Sequence, residues 1–387
     1  MGMILILSRT SFMLQSLSHW IFPFKGARFF GILRSMVLVI AMSGGVDSAL
    51  AAVLLKRTYP RMVGASHVIW PDSRCCSPEV LDRAADVCRR LDIPYLRLDL
   101  HEEFKRQVVD DFIQAYLHGK TPNPCVRCNQ DIRFGAFYFR LKGALLDRGM
   151  LGREEELLFS TGHYARVVEE DRRIFIAKGA DPLKDQSYML YRVSRRMLPN
   201  MVLPLGEYRK SEVLSMAAEL GLPYARVRES QDACFVKDSY VEFIREQTGR
   251  SDLLRAGDIV DMAGRVLGKH RGTINYTVGQ RRGLGLGSGP WYVARIDARE
   301  NRVTVAREEE AGGREFLIAQ TNWFIDPPAC PLSCTVKTRY QIGEKPCTVQ
   351  PAAEGFRVVL REPQIVTPGQ SAVFYRGELV LGGGIIL

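Results

Sequence analysis

"MVLVIAMSGGVDSA", residues 36–49, decides the fold. Val37–Ala41 is a short, unbroken apolar run of the kind that becomes a parallel strand buried on both faces. It passes at once into Ser43-Gly44-Gly45-Val46-Asp47-Ser48, and Asp47–Arg57, rich in Ala and Leu, is helical in composition. Strand, glycine turn and helix form the corner where an α/β domain places its ligand. Gly44 and Gly45 carry no Cβ, so backbone N–H groups can approach a phosphate closely. The helix start adds its positive end, Ser43 and Ser48 add hydroxyls, and Asp47 adds a carboxylate suited to holding Mg²⁺ or fixing the loop. Two other glycine strings fail the same test. "HGKT" (118–121) has Gln114 where a Walker A loop needs glycine, and "GLGLGSG" (283–289) meets Pro290 where the last glycine of G-x-G-x-x-G belongs.

Outward from this corner, strands and helices alternate. Met62–Ile69 reads as a second strand. Pro78–Leu91 reads as a helix with Leu81, Ala84, Ala85, Cys88 and Leu91 on one face. Tyr95–Leu98 is a third strand, residues 102–118 and 131–148 are helical, and Leu157–Thr161 is a strand running into "GHYAR". Beyond residue 235 glycines multiply and β-branched runs recur: "GDIVDM", "WYVARID", "RVTVA", "CTVKTRY", "FRVVLRE" and "QSAVFYRGELVLGGGIIL". The expected fold is α/β: a parallel-sheet nucleotide-binding domain over 36–235, a small β-rich central domain over 236–308 and a C-terminal β-barrel over 309–387.

The 387 residues carry a net charge of +10, but Arg9, Lys25, Arg28 and Arg34 lie in the acid-free first 46 residues, leaving +6 for the rest. That balance suits an anionic partner. The nine cysteines, odd in number and irregularly spaced, do not form a secreted disulfide framework and place the chain in a reducing cytosol. No apolar run approaches the ~18 residues of a membrane span. Residues 1–35 are basic and Ser/Thr-rich. They read as a mitochondrial-type transit segment or, the reading preferred here, as upstream sequence before a start at Met36.

S-G-G-x-D-S resembles the signature of the PP-loop ATP pyrophosphatases, which cleave ATP between its α- and β-phosphates to adenylate a substrate oxygen. Eight further strings narrow the resemblance: "TPNPCVRCNQDIRF", "STGHYAR", "KDQSYML", "ESQDACF", "NYTVGQRRGLGLG", "PWYV", "CTVKTRY" and "TPGQSAVFY". In order and across residues 36–387, they resemble the tRNA-specific 2-thiouridylase family, which transfers sulfur to C2 of the wobble uridine using ATP and a sulfur donor. The resemblance implies ATP, with Mg²⁺, on Ala41, Met42, Ser43, Gly44, Gly45, Val46, Asp47 and Ser48, with Gly162 flanking the nucleotide and His67 where many members carry Met or Leu beside the adenine. It places Asn123, Pro124 and Cys125 against the target base, and Lys184, Asp185, Gln186, Arg339 and Tyr340 against tRNA. Cys234 matches the persulfide carrier and Cys128 its disulfide partner. The implied partners are tRNA and a sulfur source: a cysteine desulfurase, a sulfur-relay protein or free sulfide.

One position departs from the family. Cys125 stands where the best-described members have Asp, and a thiol near pKa 8.5 is not the proton carrier that a carboxyl near 4 is. Two mechanisms stay open: a persulfide–disulfide relay on Cys234 and Cys128, or a [4Fe–4S] cluster on Cys125, Cys128 and Cys234. Two other functions remain alternatives, another PP-loop thiolase or synthetase and a non-catalytic tRNA-binding sulfur carrier. Cys75, Cys76, Cys88, Cys330, Cys334 and Cys347 read as packing residues. An acid-free stretch from Met262 to Ile296 holds Arg265, Lys269, Arg271, Arg281, Arg282 and Arg295 interleaved with Tyr276, Trp291 and Tyr292, an expected RNA surface.

Overall fold

The structure, a computed structural model, describes residues 36–71, 73, 76–222 and 233–387. The expectations for residues 1–35, for Cys75 and for the "ESQD" part of one string lie outside the described residues. The chain separates into two compact units. One holds the described residues through Glu102, Arg133–Ser187 and Arg196–Phe235; the other holds Glu103–Ile132, Tyr188–Arg195 and Val236–Leu387. Among the described residues no helix is long and apolar enough to cross a membrane.

The first unit is built on a parallel sheet. β1 (Val37–Ala41) lies between β2 (Met62–Val68) and β4 (Leu157–Ser160), with β3 (Tyr95–Asp99) beyond β2. A hairpin of β5 (Ala165–Glu170) and β6 (Arg173–Lys178) follows β4, and the short β7 (Met201–Val202) completes the five-stranded order β3-β2-β1-β4-β7. All neighbours in that sheet are parallel. Every residue of β1 is buried, as a strand covered on both faces requires. On one face Leu38 and Ile40 pack with Ala49, Leu50 and Val53 of α1 (Val46–Lys56) and with Ala84, Val87 and Cys88 of α2 (Pro78–Arg90). Elsewhere in the unit, Phe159 of β4 meets the rings of Phe134, Phe137 and Tyr138 edge-on at 5.6, 5.9 and 5.8 Å. Fully buried side chains of this size each contribute roughly 1.5–3 kcal/mol.

Chain order places the site. From β1 the chain moves outward to β2 and β3, then crosses back to β4 on the other side of β1. The crevice beyond the carboxyl ends of β1 and β4 is therefore the topological switch point. The β5–β6 hairpin was not expected. Its turn residues Asp171 and Arg172 both take positive φ, 50° and 61°, and Arg172 stands where a tight hairpin usually has Gly.

In the second unit, β8 (Gly257–Val260), β9 (Val266–His270), β10 (Tyr292–Asp297) and β11 (Arg302–Ala306) form a four-stranded sheet in the order β10-β11-β8-β9. Ile259, Val293, Val303 and Val305 are its core. The remaining strands are β12 (Gly313–Trp323), β13 (Leu332–Lys337), β14 (Lys345–Pro351), β15 (Phe356–Gln364), β16 (Ser371–Arg376) and β17 (Leu379–Ile386). They pair antiparallel in the order β12-β15-β14-β13-β16-β17, and β17 returns to β12, closing a six-strand barrel. Trp323 and Phe374 stack inside it at 5.5 Å.

Residues beyond 235 are not all β. Tyr240–Thr248 is a helix, started by Ser239, whose side chain accepts from Glu242 N–H, and stopped by Gly249 at φ 66°. Cys330 corrects another expectation: it is exposed, not a core residue. Cys347 is buried in the barrel and Cys334 faces it across the β13–β14 pair, Sγ to Sγ 3.6 Å. Cys88 is fully buried beneath Gly64, where a Cβ would stand 2.2 Å from its sulfur.

Candidate active site

The loop between β1 and α1 is held from several sides. Ser48, 2% exposed, receives hydrogen bonds on Oγ from Ser43 N–H and Ser43 Oγ–H, both at 3.1 Å, and donates to Gly45 O at 3.1 Å. Its hydroxyl thus braces the loop from inside, while Ser43 stays exposed. Gly44, at φ +66°, sits so close to α2 that a Cβ would lie 2.4 Å from Val80 O, and Arg83 Nε donates to Gly44 O at 3.1 Å. Gly45 caps α1 with no side chain, and only Ser43 Oγ, 3.6 Å away, lies near where its Cβ would be. The first-turn N–H groups of α1 have no intrahelical acceptors and form a donor set for an anion.

Asp47 is the loop's charged anchor. Lys210 Nζ donates to both of its oxygens at 2.8 Å, and Tyr164 O–H donates to Oδ1 at 2.6 Å. The ion pair is partly buried, with side-chain exposures of 16% for Lys210 and 26% for Asp47. Neither Lys210 nor Tyr164 was singled out in the sequence, because they stand 163 and 117 positions from Asp47. Gly162, expected beside the nucleotide, packs on the loop: a Cβ there would be 3.0 Å from the Asp47 carbonyl carbon and from Ser48 N.

Two histidines and an arginine lie behind this crevice. Thr161 Oγ1 is 2.7 Å from Nδ1 of the buried His163, and Arg133 Nη1 is 3.4 Å from its Nε2. Burial and the Arg133 charge push both His163 and His67 down to about 3, so both are neutral near pH 7. His67 Nε2 is buried and has no hydrogen-bond partner among the described residues, and the ring lies 5.0 Å from Phe137. Phe235, the residue after Cys234, meets Trp70 edge-on at 6.5 Å, and Trp70 stacks on His101 at 5.1 Å. Trp70 and His101 each follow the carboxyl end of a strand, β2 and β3, so Phe235 is anchored at the ligand-binding edge of the sheet.

Of the residues matched to tRNA contact in this unit, Asp185 is committed internally. It is 5% exposed and accepts from Gly179 N–H, Ser187 N–H and Ser187 Oγ–H at 2.9–3.1 Å. Gln186 accepts from Tyr164 N–H at 2.9 Å. Lys184 is half-buried, next to the 90% exposed Leu183.

The second unit carries the N-P-C-V-R-C segment. Asn123 caps the turn Pro124–Arg127, its side-chain oxygen accepting from Cys125 N–H at 3.1 Å and Val126 N–H at 3.4 Å. Cys125 is exposed and Cys128 half-buried. Arg127 is pinned by Asp111 at 2.7 Å and Asp131 at 3.6 Å. Asn129 donates to Met189 O at 3.2 Å. The "TPGQ" loop explains itself here: Thr121 N–H donates to Pro368 O at 2.8 Å, and Gln370 Nε2 donates to Thr121 O at 2.8 Å. Gly369 lies so close that a Cβ would be 2.9 Å from Thr121 N. The barrel thus grips the strand of chain that leads to the cysteines. Arg339 is another internal strut, donating to Val278 O at 2.7 Å and to Thr367 Oγ1. Tyr340 lies 5.9 Å from the Tyr188 ring.

In the basic stretch of the central sheet, Arg265, Lys269 and Arg295 pair with Asp261, Asp258 and Asp297 at 2.7, 2.6 and 3.1 Å. Arg271, Arg281 and Arg282 are exposed and have no ion-pair partner among the described residues. Among the described residues no group of three or more His, Cys, Asp or Glu side chains is placed to hold a metal ion.

An α/β domain with a glycine loop opening a helix at its switch point, joined to two β modules, has the architecture of an ATP-using enzyme of the HUP class. Family models agree: residues 36–238 match the tRNA methyl transferase HUP domain, 242–307 the tRNA methyl transferase PRC-barrel domain, and 313–386 the aminomethyltransferase beta-barrel domain. The chain is 43% identical over 353 residues to the tRNA-specific 2-thiouridylase MnmA of Acidithiobacillus ferrooxidans, covering 90% of this chain and 97% of that protein. It is 44% identical over 363 residues to the MnmA of Chloroflexus aurantiacus, covering 90% and 98%. The chain belongs to the tRNA-specific 2-thiouridylase family. Among solved structures, the U34-tRNA thiolase NcsA from Methanococcus maripaludis with its [4Fe-4S] cluster is similar at 14% identity and a TM-score of 0.31, covering 62% of this chain and 73% of that one; a likeness that low carries no argument.

Proposed function

We propose that this chain replaces the C2 oxygen of the tRNA wobble uridine with sulfur, giving 2-thiouridine, AMP and pyrophosphate. The observation that carries this is the S-G-G-V-D-S loop at the switch point of a chain related to 2-thiouridylases over nearly its whole length. ATP with Mg²⁺ supplies the adenylyl group that turns the uracil oxygen into a leaving group. The residues fit that substrate. The N–H groups at the start of α1 hold phosphate. Asp47, with both oxygens on Lys210, fixes the loop in place of binding metal.

Sulfur then moves through the thiols. A cysteine desulfurase or sulfur-relay protein that carries its own persulfide passes the outer sulfur to the Cys234 thiolate and leaves as a free thiolate; free sulfide, if it is the source, bypasses Cys234 and adds at C2 directly. The Cys128 thiolate attacks the inner sulfur, forming the Cys128–Cys234 disulfide and releasing hydrosulfide. Hydrosulfide adds at C2, AMP departs with the uracil oxygen, and an external dithiol reduces the disulfide. That bond needs Cα atoms within about 7 Å at the moment of exchange. Free thiols at all the described cysteines fit a reducing cytosol. A second reading makes Cys125, Cys128 and Cys234 the ligands of a [4Fe–4S] cluster; the exposed thiol at Cys125 favours it, but the three thiols would have to be brought together, because no metal-holding group of three is present among the described residues. Arg281 and Arg282 supply phosphate contacts.

The test is thiolation of an unmodified tRNA transcript by protein purified without oxygen and assayed for iron, with 2-thiouridine read by mass spectrometry. Iron-free protein is expected to thiolate, and the C128S and C234S variants to lose thiolation while keeping tRNA-dependent pyrophosphate release. Activity that tracks iron content would replace the relay with the cluster; no tRNA-dependent pyrophosphate would overturn the function.

A further inference from the structure

Beside Asn123 the second unit has a half-open pocket of about 320 Å³. Its lining includes Lys120, Arg127 and Arg192, with Asp111 and His118. That volume lies at the small end of the roughly 300–1,000 Å³ range of ligand sites. The charges in it are unequally engaged. Asp111 is committed to Arg127 at 2.7 Å, and Asp131, also near, reaches the same guanidinium at 3.6 Å. Arg127 is thus neutralised from two sides. Lys120 has no ion-pair partner among the described residues.

Arg192 is the telling residue. It is only 8% exposed; its charge faces Asp131 and its side chain bonds Tyr191, yet its Nε is a buried donor with no hydrogen-bond partner among the described residues. A buried charged donor left unsatisfied is costly, and native proteins tolerate it chiefly where a ligand or ordered water completes the bond. Guanidinium is the side chain best shaped for a phosphate. Gln320 is a second sign of construction. It lines the same cavity and holds φ at +48°, a conformation that L side chains rarely adopt, where the β12–β17 register slips.

We propose that this cavity is a phosphodiester site: Arg192 and Lys120 hold the RNA backbone next to the target nucleotide, whose base lies against Asn123. The inference rests on the reading that RNA is the substrate. It makes the N-P-C turn part of a clamp, with the base on the Asn123 side and one backbone charge in the cavity. Engagement of that charge would tell a nucleotide in an RNA loop from a free uridine.

The experiment uses the full chain and an RNA stem-loop bearing the target uridine, with one loop linkage at a time replaced by an uncharged methylphosphonate. Binding is measured by fluorescence anisotropy at several salt concentrations for the wild type, R192M, R192K and K120M. For wild type, one linkage adjoining the target is expected to cost roughly tenfold in affinity when neutralised. In R192M that penalty disappears, and the slope of log affinity against log salt flattens by about 0.7–0.9. R192K, which keeps the charge, retains part of both, and K120M repeats the effect without touching the buried arginine. Unmodified RNA that binds with the same linkage penalties in every variant overturns the site and leaves the function standing. RNA that does not bind at all overturns both. Inorganic phosphate that raises the melting temperature of wild type but not R192M, with no linkage dependence, makes the cavity a free-anion site and also overturns the proposal.

Discussion

Gly44 and Gly45 sit side by side in the loop but do different work, and alanine at each separates them. Gly44 is at φ +66°, and a Cβ there would stand 2.4 Å from Val80 O and 3.0 Å from Val80 Cγ1. The left-handed backbone costs alanine about 1–2 kcal/mol. The clash is with backbone at the start of α2, so loop or helix must shift, for roughly another 1–3 kcal/mol. Gly44→Ala should therefore destabilise its domain by about 2–5 kcal/mol, a fall of about 5–15 °C in melting temperature for a domain of this size. Gly45 has an ordinary φ of −94°. Its nearest neighbour to a new methyl is Ser43 Oγ at 3.6 Å, so Gly45→Ala folds normally. The methyl then occupies the side of the loop where phosphate must approach the N–H groups, and ATP affinity should fall about tenfold or more. Scanning calorimetry and equilibrium dialysis with labelled ATP read the two effects. A G44A protein that melts with the wild type, or a G45A protein that binds ATP normally, refutes the reasoning.

Three further outcomes follow from the contacts. His163, held near 3 against an ordinary 6.5, refuses a proton that the unfolded chain takes up. Its contribution is whole above about pH 6.5 and is lost as pH falls toward 3, by up to about 1.4 kcal/mol per pH unit; urea unfolding at about pH 7, 6 and 5 should show a shallower loss for His163→Gln, and parallel curves would count against it. Asn123→Ala removes a helix cap and should cost about 0.5–2 kcal/mol, whereas Asn123→Asp keeps the cap and the stability; equal denaturation midpoints for the two variants would contradict this. Arg339→Met should lower the thermal stability of the second unit by about 1–3 kcal/mol before any effect on RNA affinity is seen; a variant of wild-type stability with weakened RNA binding would make Arg339 a direct contact instead.

The corner at residues 36–49 was legible because it is local: strand, turn and cap all lie within one stretch, and burial of β1 follows from its unbroken apolar run. The barrel strands were legible for the same reason, through alternation and glycine turns. What was not legible is what acts at a distance. Nothing near Lys210 or Tyr164 announces Asp47, and nothing near "TPGQ" announces Thr121, 246 positions upstream of Thr367. Those strings resembled a family, but their physical purpose appears only when folding brings the pieces together. The β5–β6 hairpin was hidden because Arg172 follows Asp171 where a tight turn usually has Gly. The helix Tyr240–Thr248 was different: Ser239, Glu242 and Gly249 signalled its ends in plain sequence, and the glycine- and β-rich texture around it outweighed them. Asp185 and Arg339 show the reverse limit. A family match marks a position but not whether its side chain faces a ligand or its own backbone.

The central claim is that the uracil oxygen itself is adenylated before sulfur arrives. It is tested by giving the enzyme, ATP and a sulfur donor a tRNA whose target uridine carries ¹⁸O at C2, and weighing the AMP formed. The account predicts one ¹⁸O in AMP for each 2-thiouridine made, with none in pyrophosphate. Unlabelled AMP alongside thiolated tRNA would contradict it.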